Sequence, residues 1–141
     1  MENTYFVSSL IEGYAAIYNY ADKQGDIILP GAFGKIDMPK IKLLWQHDHN
    51  APIGGITEIK DDRYGLYIKA IITQETTLGK EVIALTKQKI VNGLSIGYEC
   101  CKAYYDNNNI RHLEQINLLE ISIVTFPANE FAIIHNSALS R

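Results

Sequence analysis

Residues 77–90 read TLGKEVIALTKQKI, residues 94–105 read LSIGYECCKAYY and residues 110–126 read IRHLEQINLLEISIVTF. The first stretch has a helical period. Leu78, Val82, Leu85 and Lys89 recur at steps of three and four, with Ile83 and Ile90 beside them. Thr76 or Thr77 can cap its start, and Asn92-Gly93 stops it. The other two stretches are rich in β-branched and aromatic residues. Asp106-Asn107-Asn108-Asn109 between them has turn chemistry. One helix followed by a long antiparallel hairpin is predicted.

The flanking sequence adds strands. Segment 4–18 reads as a strand bent at Gly13, and 41–46 as a short apolar strand ending at His47. Strands at 53–60 and 64–73 are joined by Asp61-Asp62-Arg63, and a last short strand falls at 131–135. Leu29-Pro30-Gly31-Ala32-Phe33-Gly34 is a turn leading into a short helical turn at 31–36. This order predicts an α+β fold: a mainly antiparallel small β-barrel or coiled sheet, with the helix at 77–90 packed on it. A length of 141 residues fits one domain spanning 1–141.

Composition narrows the function. Net charge is −3 and the charges are interleaved, so no basic stripe offers itself to nucleic acid. No apolar run approaches the ~20 residues that span a bilayer. Met1-Glu2-Asn3-Thr4 lacks the basic and apolar regions of a signal peptide. Cys100 and Cys101 are adjacent, where a disulfide would be strained, and two reduced thiols fit a cytosolic setting. Neither has the C-x-x-C spacing of a zinc site.

Three segments can carry chemistry. In Trp45-Gln46-His47-Asp48-His49, an apolar strand delivers His47 to a loop. One ring nitrogen there can be oriented by the scaffold while the other faces a substrate, as a general base needs. The same stretch also reads as a polar turn, or as a metal site using His47, Asp48 and His49. In Asn92-Gly93-Leu94-Ser95-Ile96-Gly97-Tyr98, Ser95 opens a strand and glycines flank it two positions each way. Gly93, Ile96 and Gly97 could leave backbone N–H groups free for an oxyanion beside a nucleophile, or the glycines could serve packing alone. In Leu119-Glu120-Ile121-Ser122-Ile123, a carboxylate lies inside an apolar strand and requires a partner. Arg111 or Lys102 would make that partner structural, whereas a triad histidine would make it catalytic. Ser122 shares the Glu120 face and is a rival nucleophile.

Taken together, the segments resemble the prohead protease family of tailed phages, itself similar to herpesvirus capsid assembly proteases. The resemblance rests on Pro30-Gly31-Ala32-Phe33, Trp45-Gln46-His47-Asp48, Leu94-Ser95-Ile96-Gly97 and Glu120-Ile121-Ser122-Ile123-Val124-Thr125-Phe126-Pro127-Ala128-Asn129, in that order. It implies a herpesvirus-protease-like fold and a serine endopeptidase, with Ser95 as nucleophile and His47 as base. Glu120 is the choice for third member, with His49 and His135 as alternatives. It further implies cleavage of scaffold or major capsid segments, and of the protease itself, during prohead maturation. The expected setting is the assembling procapsid in the host bacterial cytoplasm, as a homo-oligomer needing no metal or organic cofactor. A catalytically silent capsid-assembly domain of the same fold is the alternative.

Overall fold

The structure, a computed structural model, describes residues 9–136. Eight strands form one sheet: β1 (Leu10–Ile17), β2 (Asp26–Ile28), β3 (Lys42–Trp45), β4 (Asp48–Asp61), β5 (Gly65–Ile72), β6 (Gly93–Tyr105), β7 (Arg111–Val124) and β8 (Ile134–Asn136). Their order is β2-β7-β3-β4-β5-β1-β8, with β6 on the other side of β7. Most pairings are antiparallel; β2 and β3 run parallel to β7. The sheet curls until its ends meet. Leu94 N–H donates to Ala132 O at 2.7 Å and Ile134 N–H to Asn92 O at 2.7 Å, with Gly93 bridged to Ile133. The junction lies immediately before Ser95.

The core fills the curl. Leu43, Ile53, Leu66, Ile68, Ile72, Leu94, Leu113, Ile121 and Ile123 are fully buried. Each such side chain contributes about 1.5–3 kcal/mol on leaving water. Alternation on β7 sends Leu113, Ile121 and Ile123 into that cluster, while Glu120 and Ser122 take the opposite face.

The helix α1 (Thr77–Lys87) packs against β4 and β5, with Val82 fully buried. Thr76 caps it, its hydroxyl accepting from Gly79 N–H at 2.9 Å. The periodicity placed its end at 90, yet it stops at 87. Lys89 takes φ +60, and the N–H groups of Ile90 and Val91 both fold back onto Leu85 O.

Other expectations shift as well. The strand expected over 4–18 begins at Leu10 among the described residues, and residues 4–8 lie outside them. The irregularity falls between Tyr14 and Ala16, beyond Gly13. Gly13 is required for another reason: a Cβ there would overlap Ile133 O, where the chain crosses to β8. No helical turn forms at 31–36. The chain turns through 30–33 and makes a single 3-10 turn at Met38–Lys40, set by Pro39. β4 starts at Asp48 rather than at 53.

Candidate active site

β3 ends at Trp45, and the chain reverses into β4 through two left-handed residues, Gln46 (φ +54) and His47 (φ +59). Neither is glycine, so each costs roughly 1–2 kcal/mol of backbone strain. Bonds from β7 hold the turn in place. Gln46 N–H donates to Ile123 O at 3.0 Å. The Gln46 amide grips Thr125 at both ends, Nε2 donating to Oγ1 at 2.6 Å and Oε1 accepting from the Thr125 N–H at 3.2 Å. His47 N–H donates to Ser122 Oγ at 3.0 Å.

The turn lays the imidazole over Glu120. Nδ1 lies 2.6 Å from Glu120 Oε2, while Oε1 accepts the Ser122 hydroxyl at 2.7 Å. The Glu120 side chain is only 6% exposed and that of His47 is 41% exposed. The buried carboxylate thus has its partners, and neither Arg111 nor Lys102 is among them. Arg111 instead holds the buried Asp26 with two bonds of 2.9 Å, joined by Tyr98 Oη at 2.8 Å. The Arg111 guanidinium keeps the Asp26 carboxyl below its usual range.

Ser95 comes to the same face through register. It sits opposite Ser122, and Gly97 opposite Glu120. Directly paired residues present their side chains on one side of a sheet. Gly97 makes room for the acid, since a Cβ there would overlap the Glu120 carboxylate. Gly93 likewise clears Pro127 and Val124 O. The glycines around Ser95 therefore admit protein groups.

Ser95 and His47 line one cleft, with about 70 Å³ of room for water, between the β6 edge and the chain at 15–28. Ala128 and Asn129 close one side. Among the described residues no hydrogen bond joins Ser95 Oγ to His47. Asp22 and Asp26 also face this cleft, and burial pushes the Asp22 carboxyl up. With Nδ1 turned to Glu120, Nε2 is the nitrogen of His47 left for a neighbour.

The remaining candidates stand apart from this group. His49 lies exposed on β4, and His135 lies exposed on β8 opposite Glu12. Among the described residues no three His, Cys, Asp or Glu side chains gather as a metal site would need. No described helix is long and apolar enough to cross a membrane. The sequence reading missed the Gln46–Thr125 clamp and the bridging role of Ser122. Both join residues more than 70 positions apart, and only the parallel β3–β7 pairing brings them together.

Comparison with known proteins agrees with the fold. Residues 2–140 match the family described as caudovirus prohead serine protease. The prohead protease of Enterobacteria phage HK97 is 31% identical over 131 residues. That alignment takes 87% of this chain but 57% of the relative, so the chain spans little more than half the relative's length. The bacteriophage T4 capsid assembly protease superposes with a TM-score of 0.65 at 13% identity, covering 82% of this chain and 80% of that one. The KSHV protease bound to a hexapeptide phosphonate inhibitor gives a TM-score of 0.57 at 8% identity, covering 89% and 63%. At those identities the likeness shows the fold alone, the curled sheet shared with herpesvirus-type proteases. A family match along nearly the whole sequence, on that fold, settles membership: the chain belongs to the caudovirus prohead serine protease family.

Proposed function

We propose that this chain is a serine endopeptidase of prohead maturation, with Ser95 as nucleophile, His47 as general base and Glu120 as the acid that orients it. The observation carrying the reading is the 2.6 Å contact between His47 Nδ1 and the buried Glu120. It fixes the tautomer with the proton on Nδ1, leaving Nε2 bare to take a proton. Ser95 then attacks a peptide carbonyl as its proton passes to Nε2. His47 returns that proton to the leaving amine, and water repeats the sequence on the acyl-enzyme. No direct hydrogen bond joins Ser95 to His47 at rest, so the two must draw closer when substrate binds, as such catalytic pairs commonly do.

Strand alternation suggests the oxyanion donor. Leu94 N–H points away from β7, toward Ala132 O. Two residues on, Ile96 N–H takes the same direction, toward the cleft that Ile96 lines. Ser95 and Gly97 turn their N–H groups to β7. Ile96 is thus the favoured donor of the three residues considered, ahead of Gly93 and Gly97.

Ser122 is a poor nucleophile here. It is fully buried and its hydroxyl is engaged on both sides. The proposed substrates are scaffold and major capsid segments inside the assembling procapsid, supported by the names of the HK97 and T4 relatives. The second reading, a silent assembly domain, draws on the missing Ser95–His47 bond. Mixing wild type and Ser95→Ala with the cognate major capsid protein, then mapping new N-termini by mass spectrometry, separates the two. The protease reading expects a new N-terminus with wild type alone. A new N-terminus with both refutes Ser95, and none with either supports the silent domain.

A further inference from the structure

Ser122 has one hydroxyl hydrogen, and the structure accounts for where it goes. A carboxylate accepts and a backbone N–H donates. Its 2.7 Å contact with Glu120 Oε1 is therefore a donation, and its 3.0 Å contact with His47 N–H is an acceptance. Three bonds close a ring: His47 N–H to Ser122 Oγ, Ser122 Oγ–H to Glu120 Oε1, and His47 Nδ1–H to Glu120 Oε2. The ring grips one histidine at both its backbone and its imidazole.

The His47 backbone needs that grip. It stands at φ +59 directly after another left-handed residue, a conformation kept only where surroundings enforce it. Ser122 is fully buried, so water cannot replace it on either partner. Without its hydroxyl, the His47 N–H loses its partner and Glu120 Oε1 loses its donor. The carboxylate is then free to rotate away from Nδ1.

We propose that Ser122 is a positioning residue: through this ring it sets the His47 backbone and the Glu120 carboxylate together, and so the aim of Nε2 at Ser95. The inference rests on the assignment of Ser95, His47 and Glu120 above. It is independent of substrate identity, because Ser122 lies behind the imidazole rather than in the cleft.

The test measures steady-state cleavage of a peptide spanning the mapped capsid site, with melting temperature alongside. Ser122→Ala should lower kcat by roughly 10–100-fold, as expected for a misaimed catalytic group, with KM within about twofold of wild type. Ser122→Thr, which keeps the hydroxyl, should exceed Ser122→Val, its match in shape without one, by at least about tenfold in kcat. That comparison decides the matter if Ser122→Ala fails to fold. A folded Ser122→Ala with wild-type kcat, or equal kcat for the Thr and Val variants, overturns the proposal. Ser95→Ala run in the same assay keeps the two claims apart. If it is inactive while Ser122→Ala is unimpaired, only the Ser122 inference fails. If Ser95→Ala itself cleaves, the protease assignment fails first.

Discussion

His47 is bound at its backbone N–H and at its ring Nδ1, both times by the same strand. This makes Gly97 a sensitive position, since a methyl there would displace the Glu120 carboxylate. If Glu120 orients His47 as proposed, Gly97→Ala is expected to reduce kcat by roughly 100-fold while the folded far-UV signature persists. Peptide cleavage and circular dichroism on one preparation would check it, and near-normal turnover would remove Glu120 from the mechanism. The sequence made the acid visible, because a glutamate in LLEISIV needs a partner. It could not choose among partners, since Arg111, Lys102 and His47 were all compatible with it. Gly97 was open to two readings, a backbone free for an oxyanion or packing, and it packs against Glu120. That distinction depends on strand register, which single-residue reasoning does not supply.

Among the elements, helix α1 and the β6–β7 hairpin were legible because each has a strong local period and clear stop signals. β2 was not. It is three residues long, and apart from a single bridge from Ile28 to Tyr18 it pairs with β7, more than 80 positions away in sequence. The turn at Gln46–His47 was legible as polar, but its left-handed backbone was not, as it lacks the glycine or asparagine that such turns favour. β2 is tied down by the Asp26–Arg111–Tyr98 network. Because the Arg111 hydrogen bonds lower the Asp26 pKa in the fold, stability from this pair is present above the ordinary value of 3.8 and is lost as pH falls through the folded value. Asp22, whose pKa burial raises, acts with the opposite sign: its charge costs stability at neutral pH and the cost disappears on acidification. Asp26→Asn should therefore destabilise at pH 7 by roughly 1–3 kcal/mol, since Arg111 keeps partial access to water, and flatten the acid limb of the stability curve. Urea unfolding from pH 7 down to pH 3 would check this. An acid limb of unchanged slope would mean that other carboxylates control it.

At the scale of the whole molecule, the α+β curled sheet with one packed helix was legible from element order alone. A barrel was one of the two expected forms, but the segments that close it were not legible, because the contacts between residues 92–94 and 132–134 pair stretches with no local signal for each other. That closure positions the start of β6, and with it Ser95, at the edge of the cleft. The parallel passage of β3 along β7 brings His47 to the same place from the other side. On the proposed function, these two long-range pairings assemble one nucleophile and one base. Treating the protein with a fluorophosphonate and mapping the adduct by mass spectrometry tests that claim most directly. A single phosphonyl group on Ser95, formed at wild-type rate only while His47 is present, is the predicted result. An adduct on Ser122, or undiminished labelling of Ser95 in His47→Ala, would contradict it.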